Sequence, residues 1–347
     1  MDGRRDPILK SMVAAPIPCR AGRSAATALL AASLALGVAA CGSGKEGGSQ
    51  AFKDRPAPPA SEFPAASGRT LYQVIRSANA QRSNLLVSPA GKVYARGKNR
   101  FGFGVFTASL GQVPDARVAL YASRGSGGPA VGPFPARLES LQVKRQFESR
   151  TTSSDPDAAK AFYVSDVNFA RDGNWYVIAL FHQGGSYSAA LVPTIKVGDS
   201  SDIPAVGDRP PPIHTPTAAS VHGDLSRIDT RSPHDDMHRV DFAAALGKLP
   251  VVLLFATPAL CQSRVCGPVV DVAEQVKHEM GNGVDFIHME VYNHNNANDG
   301  YRPQLRAFGL RSEPWLFVID RKGIVRTRIE GAFDAPELEQ AVRQVAR

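Results

Sequence analysis

The chain has few aromatic residues, 7% of 347, and only four cysteines. Those two scarcities exclude a disulfide-dense scaffold and point to cores of modest size. It has no long block of Lys or Arg. The net charge of +8 is spread along the chain, which gives a nucleic-acid partner no support. Long helical periodicity is missing between residues 69 and 196, where Gly, Pro and Asn cut the sequence into short pieces. What is plentiful is Pro (26) and Gly (31), the material of linkers and turns. With 43% hydrophobic residues, 37.0 kDa is enough for two ordinary cores.

Residues 24–40 carry no charge and are built of Ala, Leu, Val, Ser, Thr and Gly behind a basic stretch, which reads as a secretory signal. At 17 residues the run is short for a membrane span. It ends Leu36-Gly37-Val38-Ala39-Ala40-Cys41, which resembles the lipobox of bacterial lipoproteins. The resemblance implies that residues 1–40 are removed and that Cys41 is lipidated, anchoring the protein to the extracytoplasmic face of the cell membrane. Residues 41–68, rich in Gly, Ser and then Pro, read as a flexible tether. Cys19 would leave with the signal and Cys41 would take the lipid, leaving Cys261 and Cys266 as an isolated pair expected to be oxidised outside the cytoplasm.

Residues 69–197 hold eight strand-like runs: 85–88, 93–96, 101–107, 117–122, 138–143, 162–167, 175–181 and 188–192. In Phe101-Gly102-Phe103-Gly104-Val105 the large apolar residues fall on alternate positions, placing them on one sheet face. Turn-rich spacing of this kind predicts an all-β, antiparallel sandwich. Asn99-Arg100-Phe101, Ala116-Arg117-Val118 and Gly173-Asn174-Trp175 together resemble the Ig-like extracytoplasmic domains of bacterial envelope proteins, a resemblance that carries no site. Trp175 reads as core and His182 as a strand-end residue.

Pro204, Pro210, Pro211, Pro212 and Pro216 break any helix or central strand, so residues 198–233 read as a linker. His234 and His238 would share one helical face and could bind a metal, but Pro233, Asp235 and Asp236 explain the stretch equally as a helix cap.

Residues 234–347 read as a C-terminal domain whose character changes from Leu249. Val251 to Phe255 is a continuous apolar run, a strand buried on both faces. Residues 269–280 have helical spacing stopped by Gly281, then follow a strand at 284–291, a short helix at 301–308, strands at 315–320 and 325–329, and a helix at 336–345. A buried strand leading into cysteines, Glu313-Pro314 directly before a strand, and Gly331 after a hairpin resemble the thioredoxin-like superfamily over about one hundred residues. The resemblance implies an α/β thioredoxin-like domain, a cis peptide at Pro314 facing the redox cysteines, and thiol–disulfide exchange with thiol- or disulfide-containing envelope proteins, with no cofactor. Cys261 would be the nucleophile and Cys266 the resolving cysteine. The helix start and Arg264 would both favour the Cys261 thiolate.

The pattern also departs from that family. The spacing is C-x4-C rather than C-x-x-C, Val251 to Phe255 holds no acidic residue, and no Trp precedes Cys261. Three other readings follow. Thr257-Pro258-Ala259-Leu260-Cys261 resembles peroxiredoxins that keep a resolving cysteine five residues on. Two thiolates with a distant histidine resemble copper chaperones of the Sco type, with His288 or His294 as the third ligand; core and loop positions respectively account for these histidines as well. A non-catalytic binding or scaffold lipoprotein with a structural cystine is the remaining class.

Overall fold

The computed structural model describes residues 52–198, 202–261 and 263–346, all within one compact unit spanning residues 51–347; the signal segment, Cys41 and the first part of the tether lie outside the described residues. Eight strands build one curled sheet: β1 (Gln81–Arg82), β2 (Leu86–Pro89), β3 (Gly97–Phe106), β4 (Val118–Ser123), β5 (Val131–Ser140), β6 (Ala161–Phe169), β7 (Gly173–Gln183) and β8 (Ser186–Val197). Their order is β1-β8-β7-β4-β5-β6-β3-β2, and every pairing except β1 with β8 is antiparallel. Phe101, Phe103 and Val105 all enter the interior, as their alternation predicts, where they meet Val118, Leu120 and Trp175.

Two expectations shift here. Residues 93–96 form no strand, only a bridge from Tyr94 to Val197, because the chain turns there to let Asn99 bond the Ala95 backbone. The fifth strand starts at Val131, seven residues earlier than the apolar pattern indicates. Pro133 and Pro135 disguise it in the sequence, yet Pro135 sits opposite Ala119 and Phe134 opposite Leu120.

The tether is packed from its second part onward. Arg55 pairs with Leu138 through two backbone hydrogen bonds, and Phe63 and Ala66 join α1 (Leu71–Ser77) in covering the outer face of β4, β7 and β8. Thr70 caps α1 in a capping box with Gln73.

A second sheet has four strands: β9 (Val251–Phe255), β10 (Asp285–Met289), β11 (Trp315–Ile319) and β12 (Val325–Glu330), in the order β10-β9-β11-β12. β9 and β10 are parallel, whereas β11 runs antiparallel to both β9 and β12. All five residues of β9 are buried, as expected of a central strand with both faces covered. Of the four helices introduced with this sheet, α2 (Arg150–Ser153) arises from the β5–β6 connection and α3 (Phe242–Ala245) from the stretch before β9, while α4 (Cys266–Met280) follows β9 and α5 (Pro303–Ala307) follows β10. The chain closes with α6 (Ala335–Val345). Helices α4 and α6 line one face of the sheet, with Leu141, Ala159, Phe162 and Val164 of the eight-stranded part in the same core. Phe242 of α3, Leu305 of α5 and Phe308 cover the other face.

The proline-rich stretch is no free linker. Its residues Ile203 and Ile213 enter the core under α3, and Gly207 and Asp208 exchange backbone hydrogen bonds with Val325 at the rim of β12; just after the stretch, Met237 accepts from the backbone N–H of His288 at the rim of β10. Arg100 of β3 joins the two sheets further: it reaches Glu337 of α6 with two hydrogen bonds of 2.6 Å, and it also donates to Glu139 and to the Ala332 carbonyl. Among the described residues no helix is long and apolar enough to cross a membrane.

Candidate functional site

Cys261 and Cys266 are joined in a disulfide with their Cα atoms 5.8 Å apart, inside the ordinary span for a cystine. The bridge spans the junction between β9 and α4, because the helix begins at Cys266 itself, three residues earlier than its apolar period indicates. Cys266 is fully buried and Cys261 only half-buried, so solvent reaches the pair from the Cys261 side. The N-terminus of α4 has no side-chain cap. Instead, the free N–H of Cys266 points at Cys261 Sγ at 3.3 Å, and Ser263 Oγ lies 3.2 Å from the same sulfur.

The loop between the cysteines is held from outside. Arg264 has φ +64°, an uncommon conformation for a residue with a side chain. Its carbonyl accepts from Ala159 N–H, and its guanidinium pairs with Asp157 at 3.2 Å. The charge that the sequence places beside the sulfur is therefore engaged with Asp157, and the polar groups facing Cys261 are Ser263 and the helix N–H. Residues 263–265 also form one wall of a cleft of about 390 Å³, whose opposite wall includes Leu86, Phe106 and Leu110 of the eight-stranded part.

Pro314 is buried and follows a cis peptide bond with Glu313. It directly precedes Trp315, whose register partner is Phe255, the last residue of β9, so it lies at the end of the sheet from which the cysteine loop departs. Its carbonyl accepts from Gly331 N–H at 2.9 Å.

Behind the loop lies a buried polar group that the sequence reading split between a helix cap and a core histidine. His238 and His288, from the stretch before α3 and from β10, meet Asp229 and Asp235 in the interior, whereas His234 stays at the surface, 3.5 Å from Asp229. His288 Nδ1 is 2.7 Å from Asp235, and its Nε2 is 3.1 Å from the Ala256 carbonyl. A carbonyl can only accept, so Nε2 carries a proton. Burial alone would push the His288 pKa down, but the neighbouring Asp235 carboxylate outweighs it and holds the imidazole up at about 10. Asp235 moves the opposite way, downward: its burial is outweighed by His288. Thr230, next to Asp229 in sequence, accepts from Ala259 N–H just before the cysteine loop and donates to the buried Glu290. The two aspartates carry no recognisable motif, and only their nearness to His238 in sequence hints at the group.

The remaining singled-out residues fall elsewhere. Trp175 is a core residue whose Nε1 donates to the Arg171 carbonyl. His182 stacks on Tyr187, and His294 is an exposed loop residue beside Asp299 at 3.0 Å.

No family model matches the sequence, and no curated protein matches it. Among solved structures, a crystal structure of the Lin-41 filamin domain is similar over 34% of this chain and 96% of its own, at 9% identity with a TM-score of 0.19.

Proposed function

We propose that the protein is an extracytoplasmic thiol–disulfide oxidoreductase of the thioredoxin-like kind, held at the membrane by a lipid on Cys41, with an Ig-like sandwich preceding the redox domain. The observation that carries this reading is the Cys266 N–H aimed at Cys261 Sγ from the first turn of α4. An unsatisfied helix N–H stabilises a sulfur that becomes negative, so the reduced pair has its nucleophile in the accessible position and its partner sulfur buried behind it. The sheet order β10-β9-β11-β12, with the pair at the end of β9 and Pro314 at the neighbouring strand start, supports the same assignment.

The chemistry is exchange. The Cys261 thiolate attacks one sulfur of a target disulfide, and the other target sulfur leaves as a thiolate. The Cys266 thiolate then attacks Cys261 Sγ, releasing the target's second thiolate and restoring the Cys261–Cys266 bond. A dithiol donor resets the pair by the reverse exchange. The cleft beside residues 263–265 suits an extended target segment with apolar side chains.

The deciding measurement is the reduction potential of the pair in the full chain, set by glutathione or dithiothreitol buffers and read by mass-shift alkylation. A value between about −120 and −270 mV fits an exchange catalyst. Resistance to reduction below about −300 mV would assign the cystine to a structural role in a binding protein instead.

A further inference from the structure

We infer that Asp229, Asp235, His238 and His288 form a closed binding site for one divalent cation of borderline softness, with Zn²⁺ as the best match. The site is separate from the redox pair and independent of its chemistry. All four side chains are buried, and one ligand atom from each lies within 4.8 Å of every other.

The spacing favours an ion over a simple hydrogen-bond network. A tetrahedral shell with ligand distances of 2.0–2.1 Å has edges of about 3.3–3.4 Å. His238 Nε2 lies 3.4 Å from Asp235 Oδ1 and 3.6 Å from Asp229 Oδ2, and His288 Nδ1 is 3.9 Å from Asp229 Oδ1. The two His238 separations exceed ordinary hydrogen bonds and come near shell edges, while the 3.9 Å one is longer. Each carboxylate turns a different oxygen to each histidine, so closing a shell on one oxygen of each takes a small inward shift within the 4.8 Å span of the group. The fourth separation, 2.7 Å between Asp235 Oδ2 and His288 Nδ1, is a hydrogen bond whose proton the cation would displace.

The ligand atoms are also oriented from behind. The Nε2–H of His288 donates to the Ala256 carbonyl, which leaves Nδ1 facing the cluster, the outer support that metal-binding histidines ordinarily have. Asp229 accepts from the backbone N–H groups of Arg231 and Asp235, and Asp235 accepts from that of Met237, so both carboxylates are held in place. His238 Nε2 is buried, with the side chain 2% exposed, and has no hydrogen-bond partner. A buried imidazole nitrogen with no hydrogen-bond partner beside two carboxylates is a free ligand atom for a cation.

Charge points the same way. The guanidinium of Arg231, the nearest arginine in sequence, is committed to Asp271. Among the described residues no guanidinium or ammonium enters this cluster, and a divalent cation would balance the two buried carboxylates in place of the proton that Asp235 holds on His288. Two nitrogens and two oxygens in a four-ligand, solvent-free site suit Zn²⁺, whereas Cu²⁺ favours a tetragonal arrangement. With every position taken by protein, the ion would be structural. It would fasten the stretch 229–238 to β10.

The test uses the full chain, stripped with a chelator under non-reducing conditions and titrated with zinc sulfate. One zinc per chain should survive gel filtration and raise the melting temperature. The His238→Gln and Asp229→Asn variants should each bind zinc at least ten-fold more weakly while a Cys261→Ser/Cys266→Ser variant binds it normally. Zinc X-ray absorption on the wild type should show only nitrogen and oxygen neighbours at about 2.0–2.1 Å. A sulfur shell near 2.3 Å, unchanged affinity in folded His238→Gln protein, or no zinc retained by the folded wild type would each overturn the inference. The absorption spectrum decides the case if the variants do not fold.

Discussion

Arg231 Nε donates to Asp271 Oδ1 at 2.9 Å, with the two side chains only 5% and 1% exposed. The same guanidinium donates to the carbonyls of Phe147 and Pro233, and Asp271 accepts from Ser149. One buried pair therefore ties together α4, the proline-rich stretch and the β5–β6 connection.

Removing one partner of such a pair leaves the other charge buried and uncompensated. Arg231→Met should destabilise the fold by about 3–5 kcal/mol in urea unfolding. A loss below about 1 kcal/mol would mean that Asp271 simply protonates, which burial, pushing its pKa upward, already favours.

Gly331 has φ +84°, and a Cβ there would sit 2.6 Å from the Ala90 carbonyl oxygen. Gly331→Ala should cost about 1–3 kcal/mol through backbone strain, with the steric clash adding to it. Gly281 also has positive φ but faces open space, so Gly281→Ala serves as the control and should lose less. Equal losses in the two variants would remove the close approach as the cause.

Stability should fall as pH rises from about 5 to 7.5. Burial pushes Glu139 from 4.5 up to about 7, with Arg100 opposing, and pushes Asp334 from 3.8 up to about 6. In that window the folded chain keeps protons that the unfolded chain has released. The stabilisation is therefore complete below the unfolded values and lost through the folded ones, at most about 1.4 kcal/mol per pH unit for each group. Melting curves at pH 5.0 and 7.5 check it. Glu139→Gln should flatten the difference, and an unchanged slope in that variant would refute the assignment.

Cys266→Ser should accumulate mixed disulfides through Cys261 when exposed to disulfide-bearing proteins, detectable as dithiothreitol-sensitive bands on gels. Cys261→Ser should trap none, since the remaining sulfur is buried. Equal trapping by both variants would reverse or abolish the assigned roles.

The strands and helices of the small sheet were largely legible, because β9 is apolar throughout and α4 and α6 repeat at helical spacing up to clear stops. The alternation through Phe101, Phe103 and Val105 likewise revealed the inward face of β3. Three things were hidden. The early start of β5 was masked by Pro133 and Pro135, yet Pro135 pairs in register and Pro133 is taken up at a register shift opposite Tyr121, so the strand continues through both. The packing of the proline-rich stretch was masked because backbone groups of Gly207 and Asp208 make its contacts to β12. The aspartate and histidine cluster depends on a meeting between residues 229–238 and β10, and local composition encodes no such long-range pairing.

The backbone contacts at Val325 and His288 have a consequence for how the molecule meets others. A four-stranded sheet ordinarily offers two rows of unpaired amides to any extended chain nearby, an invitation to strand addition and aggregation. Here Gly207 and Asp208 of the proline-rich stretch touch one flank, and Met237, just after that stretch, touches the other. Strand addition at either flank of this sheet is thus discouraged, which leaves the strand ends, where the cysteine loop lies, as its uncovered rim.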